Sequence, residues 1–473
     1  MKLRTWNYFV IFFIFIVFFS FIFPIKICNA VPTKTLNWIY NTYNDVWSVA
    51  ISGDGQYIVV GSNNHDLYLF NKTSSIPVWN YTTDSDVNSV AISNDGQYIV
   101  GGNYKNKVYL FNRSSSTPIW SYSAGGYIET VAISDDGMYI VAGSRDNKTY
   151  LFNKSSSVPM WNHTAGDYVW SLAISGDGEY IIVGSSDHKI YFFNRTSPVP
   201  MWTYTTGDWI YSVAISNDGS YIAVGSRDHK VYLFNRNSST PIWTYTTGGY
   251  VWSVSISGDG QYVVAGSSDY KIYLFNRASP TPTWSYNTGA GLLSVAISRN
   301  GQYLVAGNRN SMFYLFNRAS STPLWYYSAG IYVRTVAISN NGDYIITGNS
   351  NYRAYFFDNK DTDDDGLSDG YETFNSNTNP NIVDTDGDGL SDGYEIINST
   401  TDPNKFDTDN DGYSDGTEVN AGTDPLDSNS YPTTSPTVYF PGFGVYFILA
   451  SIVITVIILI AYLIRKKHKN TQK

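Results

Sequence analysis

Cysteine is nearly absent from this sequence of 473 residues, in which Cys28 is the only one. A disulfide within the chain is therefore excluded, although exported domains often depend on such bonds. Histidine is also scarce, and the five histidines form neither a Ser-His-Asp spacing nor a metal-binding cluster. We therefore expect a protein that is stabilised by packing and bound metal ions and that is not an enzyme.

A basic face is lacking as well. Between residues 31 and 357 the sequence holds 20 Lys and Arg against 20 Asp and Glu, a balance of zero. Between residues 358 and 427 it holds 20 acids against Lys360 and Lys405, so that 2 − 20 gives a net charge of −18. Nucleic-acid binding needs a basic face, so no nucleic-acid partner is expected. The acidic excess lies in one short segment and needs its own explanation.

Long apolar runs are confined to the two ends. Lys2 and Arg4 precede the first run, and small residues up to Ala30 stand where a signal peptidase cuts. Residues 1–30 are therefore predicted to be a signal peptide, with an uncleaved anchor helix as the alternative.

The second apolar run, residues 443–464, is uncharged and long enough to span a bilayer once. Residues 465–473 are basic and are predicted to remain cytoplasmic. A Thr/Pro-rich stalk, residues 431–442, precedes the run. We expect a protein of the cell membrane whose bulk is extracellular and which is held by this single C-terminal helix.

A 41-residue repeat fills most of the chain. Each of eight units contributes a glycine equivalent to Gly55 and an invariant tryptophan, without insertion or deletion. One unit reads as four short runs rich in β-forming residues, separated by polar turns. The period is typical of propeller blades. The tryptophans are Trp38, Trp79, Trp120, Trp161, Trp202, Trp243, Trp284 and Trp325.

The sequence thus predicts an all-β fold over residues 31–358, an eight-bladed β-propeller of four-stranded blades. The run 36–42 precedes the first full set of inner strands, and the eighth set has no tryptophan strand after it. We expect residues 36–42 to supply the outer strand of the last blade. A solenoid is the alternative, disfavoured because neither terminal unit resembles a cap.

Two resemblances support this fold. The stretch SVAISNDGSYIAVGSRDHKVYLFN resembles a WD repeat in which Phe234 and Asn235 replace the Trp-Asp pair and the upstream Gly-His is missing. The stretch YLFNRSSSTPIWSY resembles the repeat of quinoprotein dehydrogenases, whose tryptophan packs between eight blades. The second resemblance would imply a quinone, a calcium site and a catalytic Asp. No inserted loop or cysteine pair stands in the propeller to serve such a cofactor.

Positions that vary inside the repeat are candidates for specificity. Two such series, beginning at Trp47 and at Asp45, should surround one mouth of the central channel. Their aromatic rings suit contact with a polysaccharide or an extracellular protein, and the alternative is that they only pack between blades. The candidate ligand-binding residues are Trp47, Tyr127, Tyr168, Trp170, Trp209, Tyr211, Tyr250, Trp252 and Tyr332.

Asn-x-Ser/Thr sequons recur because the FN[KR]-x-S stretch is part of the repeat. In an exported protein they predict glycosylation of surface turns, although copying the repeat would copy them without a role. The asparagines are Asn71, Asn80, Asn112, Asn147, Asn153, Asn162, Asn194, Asn237 and Asn398.

Three acidic loops explain the charge excess. Each reads D-x-D-x-D-G-x-x-D-x-x-E, and the loops start 23 residues apart at Asp361, Asp384 and Asp407. Carboxylates at positions 1, 3 and 5 face one point, Gly at 6 allows a sharp turn, position 7 offers its carbonyl and Glu at 12 can bind bidentately. Oxygen ligands favour Ca²⁺. A solvated acidic linker is the alternative.

The loop spacing and the Asp-Pro connections resemble thrombospondin type 3 repeats over residues 359–430. The resemblance implies structural Ca²⁺ that stiffens a spacer. It also implies a ligand set that repeats from loop to loop. These residues are Asp361, Asp363, Asp365, Leu367, Asp369 and Glu372; Asp384, Asp386, Asp388, Leu390, Asp392 and Glu395; and Asp407, Asp409, Asp411, Tyr413, Asp415 and Glu418.

The tripeptide Pro441-Gly442-Phe443 before the last apolar run resembles the sorting tail of archaeal surface proteins, in which an archaeosortase removes the helix and attaches a lipid. This resemblance implies an archaeal cell surface. From all these features we expect a surface-anchored, calcium-binding propeller that acts in recognition or adhesion. The alternatives are a structural envelope component and a quinone-dependent oxidoreductase.

Overall fold

The predicted signal peptide, the membrane helix, the cytoplasmic tail and nearly all of the Thr/Pro stalk lie outside the residues that the structure describes. Within the described part, no helix combines the length and the apolarity needed to cross a bilayer. The structure is a computed structural model, and it describes residues 36–363, 365–367, 369, 372 and 376–432.

The chain forms two compact units. The first comprises Met1–Thr362 and Ser368–Pro380, and the second comprises Asp363–Leu367 and Asn381–Lys473. In its described residues the first unit is a propeller of eight antiparallel four-stranded sheets, as the repeat predicts. Each sheet is one blade, and its strands follow one another from the central channel outward.

The strand bounds repeat from blade to blade. The inner strands are Val46–Ile51, Val87–Ile92, Ile128–Ile133, Val169–Ile174, Ile210–Ile215, Val251–Ile256, Leu292–Ile297 and Val333–Ile338. The second strands are Tyr57–Ser62, Tyr98–Asn103, Tyr139–Ser144, Tyr180–Ser185, Tyr221–Ser226, Tyr262–Ser267, Tyr303–Asn308 and Tyr344–Asn349. The third strands are Asp66–Asn71, Lys107–Asn112, Lys148–Asn153, Lys189–Asn194, Lys230–Asn235, Lys271–Asn276, Met312–Asn317 and Arg353–Asp358. The outer strands of blades one to seven are Trp79–Thr82, Trp120–Ser123, Trp161–Thr164, Trp202–Thr205, Trp243–Thr246, Pro282–Asn287 and Pro323–Ser328.

The eighth blade takes its outer strand from the start of the described chain. Trp38–Asn41 pairs antiparallel with Arg353–Asp358, and Trp38 lies opposite Phe356. The first and last parts of the propeller are therefore hydrogen-bonded in one sheet, and this pairing closes the ring of blades.

The core is divided among the blade interfaces. Eight clusters of buried apolar side chains each join two neighbouring blades. Second and third strands are buried on both faces, as Val59, Val60 and Leu69 illustrate with no exposed surface. A strand covered on both faces loses the apolar/polar alternation, which is why the runs IVVG and YLF are apolar throughout.

Polar contacts also join neighbouring blades. The hydroxyl of Ser212 on one inner strand accepts a hydrogen bond of 3.0 Å from the Val254 amide on the next, and five other serines do the same. Each repeat tryptophan donates from Nε1 across a blade boundary, as Trp243 does to the Arg277 carbonyl at 2.9 Å. The invariant tryptophans are thus inter-blade packing residues.

Gly55 shows why the turn after each inner strand requires glycine. Its φ of 72° lies in the left-handed region, and an added Cβ would stand 2.1 Å from the ring of Tyr344 in the neighbouring blade. Two features therefore exclude a side chain at Gly55: the positive φ of the turn and the close approach of Tyr344.

In its described residues the second unit holds two short helices. Helix α1 is Asp392–Tyr394 and continues into a π-helical turn, Glu395–Ser399, while helix α2 is Asp415–Ala421. The hydroxyl of Ser414 accepts a hydrogen bond from the Thr417 amide and caps α2, which ends at Gly422 with φ of 77°. Both helices start at position 9 of an acidic loop; the loop's glutamate lies within α2 as Glu418, and directly after α1 as Glu395, the first residue of the π-helical turn.

Candidate functional sites

The first candidate site is one mouth of the propeller channel. Every inner strand has a register shift at its second residue, for example between Val46 and Ser48, so that Trp47 and its equivalents lie in a bulge. A bulge re-aims a side chain out of the ladder. Here it directs the first variable series toward the neighbouring blade.

Members of this first series touch one another around the channel. Tyr211 stacks on Trp252 of the next blade with ring centroids 4.3 Å apart, and Trp170 lies 6.4 Å from Tyr211 on the other side. All three are half-buried. Packing between blades thus accounts for part of what the sequence offered as binding residues.

The second series, two residues earlier, is exposed. Tyr127, Tyr168, Trp209, Tyr250 and Tyr332 keep between 36 and 50% of their surface accessible. Exposed aromatic rings gathered around one opening supply contact area and polar handles at low entropic cost, as at protein interfaces. The two series together form the aromatic mouth, and these five residues are its accessible part.

Arginines interleave with these rings, and of the four described here sequence reasoning found only Arg334, a member of the first variable series. The guanidinium of Arg145 lies 5.5 Å from the centroid of Tyr127, and Arg227 lies 4.9 Å from Trp209. Arg309 lies 5.2 Å from Trp252, and Arg334 lies over Trp47. Cation–π contact orients these cations beside the rings.

Three of the four arginines belong to a third variable series, in the turn between the second and third strands. The signal was available, because this position varies in the same 41-residue register as the other two. Its eight residues are Asn63, Tyr104, Arg145, Ser186, Arg227, Ser268, Arg309 and Ser350.

A polar cluster occupies the other end of the channel. Arg299 donates to Asp135 at 2.5 Å and to Asn217, and the surrounding cavity of about 240 Å³ is walled by isoleucines of the inner strands. Burial raises the pKa of Asp135, although Arg299 acts in the opposite direction. The residues of this cluster also occupy a position that varies in the repeat. Their polar side chains are hydrogen-bonded to one another, as Arg299 is to Asp135 and Asn217.

The second candidate site is the acidic segment. In the second loop, oxygens of Asp384, Asp386 and Asp388 lie within 4.8 Å of one another. The corresponding oxygens of the third loop, from Asp407, Asp409 and Asp411, converge in the same way. In both of these loops, positions 1, 3 and 5 therefore meet at one point, as their spacing predicts. Each of the two groups could hold a metal ion.

The glutamates at position 12 are buried beside these groups. Glu395 and Glu418 have no exposed surface, and Oε2 of each has no hydrogen-bond partner among the described residues. The same holds for Oδ2 of Asp386, Asp409 and Asp411. Buried carboxylate oxygens without a donor are costly unless a cation compensates them. The residues present thus fit a bound cation with oxygen ligands.

The pKa values agree with this interpretation. Burial, reinforced by the carboxylates of Asp386 and Asp388, raises the pKa of Glu395 to about 8. Burial together with Asp411 and Asp409 raises the pKa of Glu418 to about 7. Negative charge is thus disfavoured at the points where a divalent cation would be coordinated.

The aspartates at position 9 accept hydrogen bonds within their own loops, and their predicted role as ligands stays a prediction. Asp392 accepts hydrogen bonds from the amide and hydroxyl of Thr385 in its own loop, at 2.7 and 2.6 Å. Asp415 braces the third loop through Thr408 in the same way, yet it also lies with Asp388 and Glu395 in a buried group of the second loop. Asp415 therefore joins neighbouring loops.

The residues of the first loop are divided between the two compact units. In the first unit, Asp369 accepts a hydrogen bond of 2.8 Å from the Thr362 amide and an ion pair from Lys360. In the second unit, Asp365 accepts from the amides of Leu367 and Gly393, both at 2.7 Å. Glu372 has no exposed surface.

The residue at position 7 donates a hydrogen bond from its backbone amide to the aspartate at position 5. The Leu390 amide donates to Asp388 at 2.7 Å, and the Tyr413 amide donates to Asp411 at 2.9 Å. Both loops turn sharply before this residue, since φ is 101° at Gly389 and 100° at Gly412. The glycine at position 6 is thus required by the backbone, as the motif predicts.

Family models match both regions of the chain. The model of the WD domain, G-beta repeat, matches residues 199–235 and 239–276, and the model of the outer membrane protein assembly factor BamB matches residues 33–181. The model of the bacterial TSP3 repeat matches residues 361–381, 384–405 and 407–428. The resemblances to WD-type, quinoprotein-type and thrombospondin type 3 repeats are therefore confirmed.

Among solved structures, the propeller is similar to Sqt1 of Chaetomium thermophilum, determined in complex with the N-terminus of the ribosomal protein L10. That comparison covers 68% of this chain and all of the other, with 14% identity and a TM-score of 0.61. At this identity the likeness shows the fold alone. No curated protein is significantly similar in sequence to this chain.

Proposed function

We propose that this chain is a non-enzymatic protein-recognition module, in which the propeller binds a partner at its aromatic mouth. The observation that supports this most directly is the exposed second series, in which Trp209 and Tyr250 lie on either side of Arg227. Exposed Trp and Tyr beside Arg are the residue types that carry binding energy at protein interfaces. The similar propeller of Sqt1 holds a protein segment.

The test is a selection of peptides from a displayed random library on the purified full chain. We expect a set of selected peptides whose affinity falls at least about tenfold in the Trp209→Ala/Tyr250→Ala protein. Ile76→Ala/Val199→Ala is the matched control, because both residues are exposed apolar side chains in the connections before the outer strands. Failure to select any peptide, or dye reduction on addition of pyrroloquinoline quinone, would contradict the proposal.

The acidic segment is proposed to bind structural Ca²⁺ and to act as a spacer. Its support is the set of buried carboxylate oxygens at Asp386, Glu395 and Glu418 together with TSP3 repeats that bind calcium in other proteins. A bound ion would supply the positive charge that these oxygens lack. Titration of the chelator-treated chain with Ca²⁺ by calorimetry tests this, and an absence of binding heat contradicts it.

The proposed location is the outer face of a cell membrane, with adhesion as the biological role. The support is the sequence pattern of both ends and the tripeptide before residue 443. Protease treatment of intact cells tests the location. The propeller should be cleaved or released, whereas complete protection until lysis would contradict an extracellular position.

A further inference from the structure

The aromatic mouth has a gap in the seventh blade. Gly291 stands where four other blades carry Tyr and one carries Trp, and a pocket of about 420 Å³ opens there. Its lining includes Ser268, Gly291 and Arg309. A Cβ added at Gly291 would approach Ser268 Cα to 3.7 Å and Arg309 Cδ to 3.8 Å, which are ordinary contacts. Close packing therefore does not require glycine, and the gap is a local departure from the repeat.

Arg309 differs from the other arginines of the mouth. Arg145 is paired with Glu129, Arg227 with Asp208 at 3.8 Å and Arg334 with Asp45 at 3.1 Å. Arg309 is exposed, and no carboxylate within the described residues lies near enough to form an ion pair with its guanidinium.

The repeat register explains why Arg309 lacks a partner. The acid paired with Arg145 stands 16 residues before it, and the acid paired with Arg227 stands 19 residues before it. The same offsets from Arg309 lead to Leu293 and Ala290. Three blades carry an arginine in this turn. The blade of Arg309 is the one among them in which neither of these two positions holds an acid. The guanidinium of Arg309, beside the gap, is therefore available to an anionic group of a ligand.

We propose that the pocket at Gly291 binds a carboxylate of an acidic protein segment, an Asp or Glu side chain or a free C-terminus, through Arg309. The inference rests on the proposed recognition function and names the chemistry of its ligand. Guanidinium and carboxylate match in a bidentate fork, and arginine recognises acidic motifs and terminal carboxylates in this way.

The neighbouring rings favour a peptide over a sugar. Trp252 is covered by the stacked ring of Tyr211 and by Arg309 itself, so little of its face is free for a sugar ring. Tyr270, on the pocket lining, is 51% exposed and can pack beside an extended segment. The pocket thus offers one fixed cation and an apolar margin.

The experiment uses peptides selected on the full chain in calcium-containing buffer, and measures their dissociation constants with three variants. Arg309→Gln removes the cation. Ala290→Asp places a carboxylate at the offset that Asp208 has from Arg227 and should neutralise Arg309 internally. Arg236→Gln is the control, because that arginine follows the third strand Lys230–Asn235 at the end away from the mouth, where its guanidinium donates to the Asp218 carbonyl at 3.1 Å.

We expect the selected peptides to share an acidic residue or to need a free C-terminal carboxylate. Their affinity should fall about tenfold or more in both Arg309→Gln and Ala290→Asp, and remain unchanged in Arg236→Gln. Peptides that lack a carboxylate, or that bind Arg309→Gln as they bind the parent, would overturn this inference while leaving the recognition function intact. A chain that selects no peptide but binds polygalacturonate through Arg309 would overturn both.

Discussion

The propeller and the acidic segment solve the same problem of stability in opposite ways. The propeller is neutral by count and buries apolar side chains between blades, and six serines of its inner strands accept hydrogen bonds from the neighbouring blade. The acidic segment buries Glu395 and Glu418, and Oε2 of each has no hydrogen-bond donor among the described residues. The propeller is thus held together mainly by contacts between its own blades, whereas the acidic segment has carboxylates that a bound cation would compensate.

Calcium removal should separate the two regions most clearly. A chelator leaves about −18 of charge in residues 358–427, where buried carboxylates repel one another, so this segment should lose its order. The blades contain none of the three acidic loops and should keep theirs. Hydrogen exchange of the full chain with and without Ca²⁺ measures both regions at once, and equal protection in the two conditions would contradict the comparison.

Two tryptophans of the fifth blade, one buried and one exposed, should differ in their contribution to stability. Trp243→Ala removes a buried ring that lies 5.2 Å from Phe275, and should lower the free energy of unfolding by about 3–5 kcal/mol. Trp209→Ala removes a ring that is 37% exposed at the mouth and should cost far less stability. Denaturant unfolding checks both, and similar losses would show that the mouth is packing rather than surface.

Acid should stabilise the ion-free acidic segment. The pKa of Glu395 is raised to about 8 in the folded segment, above its ordinary value of 4.5. The folded state therefore binds the proton more tightly, and this contribution is present below the ordinary pKa and lost as the pH rises through about 8. Circular dichroism of the full chain in chelator should therefore show this segment, which we expect to be disordered without calcium near neutral pH, gaining order as the pH falls. The opposite slope would indicate that Glu395 is charged and compensated without calcium.

Removing one buried charge should weaken a single loop. Glu395→Gln takes away the carboxylate that we propose as a bidentate ligand of the second loop, and calcium affinity there should fall by on the order of tenfold. Asp424→Asn is the matched control, since this acid is exposed and follows the third loop. Calorimetric titration distinguishes the sites, and an unchanged isotherm would exclude Glu395 from coordination.

The smallest expected effect concerns the inter-blade serines. Ser212→Ala removes the acceptor of the Val254 amide and should lower the free energy of unfolding by about 1 kcal/mol. Its effect should be the same with calcium and with chelator, because the contact lies wholly within the propeller. A calcium-dependent effect of this substitution would mean that the two regions do not unfold independently.

Periodicity made most of the fold predictable. The tryptophan interval gave the blade count, and the GDG turn predicted the positive φ found at Gly55. The run 36–42 was expected in the last blade because it stands outside the first full unit, and Trp38–Asn41 pairs there. These inferences all depend on the 41-residue spacing, which the tryptophan and glycine series repeat eight times in one chain.

The candidate sites were less predictable, because they depend on which side chains meet across a boundary. Sequence reasoning found the aromatic series but not the arginines between them, since Arg309 and its equivalents lie in a different turn of the blade. Nor did it show that Asp415 reaches the group of Asp388 and Glu395, because loop spacing assigns an acid only to its own loop. Such contacts follow from the three-dimensional packing of neighbouring units.

The most direct test of the central claim is the affinity of one selected peptide for the full chain, measured with Ca²⁺ and with chelator, for the parent and for Trp209→Ala/Tyr250→Ala. If recognition belongs to the propeller mouth, the dissociation constant of the parent stays the same in chelator and rises at least about tenfold in the double variant. If binding is lost in chelator and the double variant binds like the parent, the binding site lies in the acidic segment and the account is wrong.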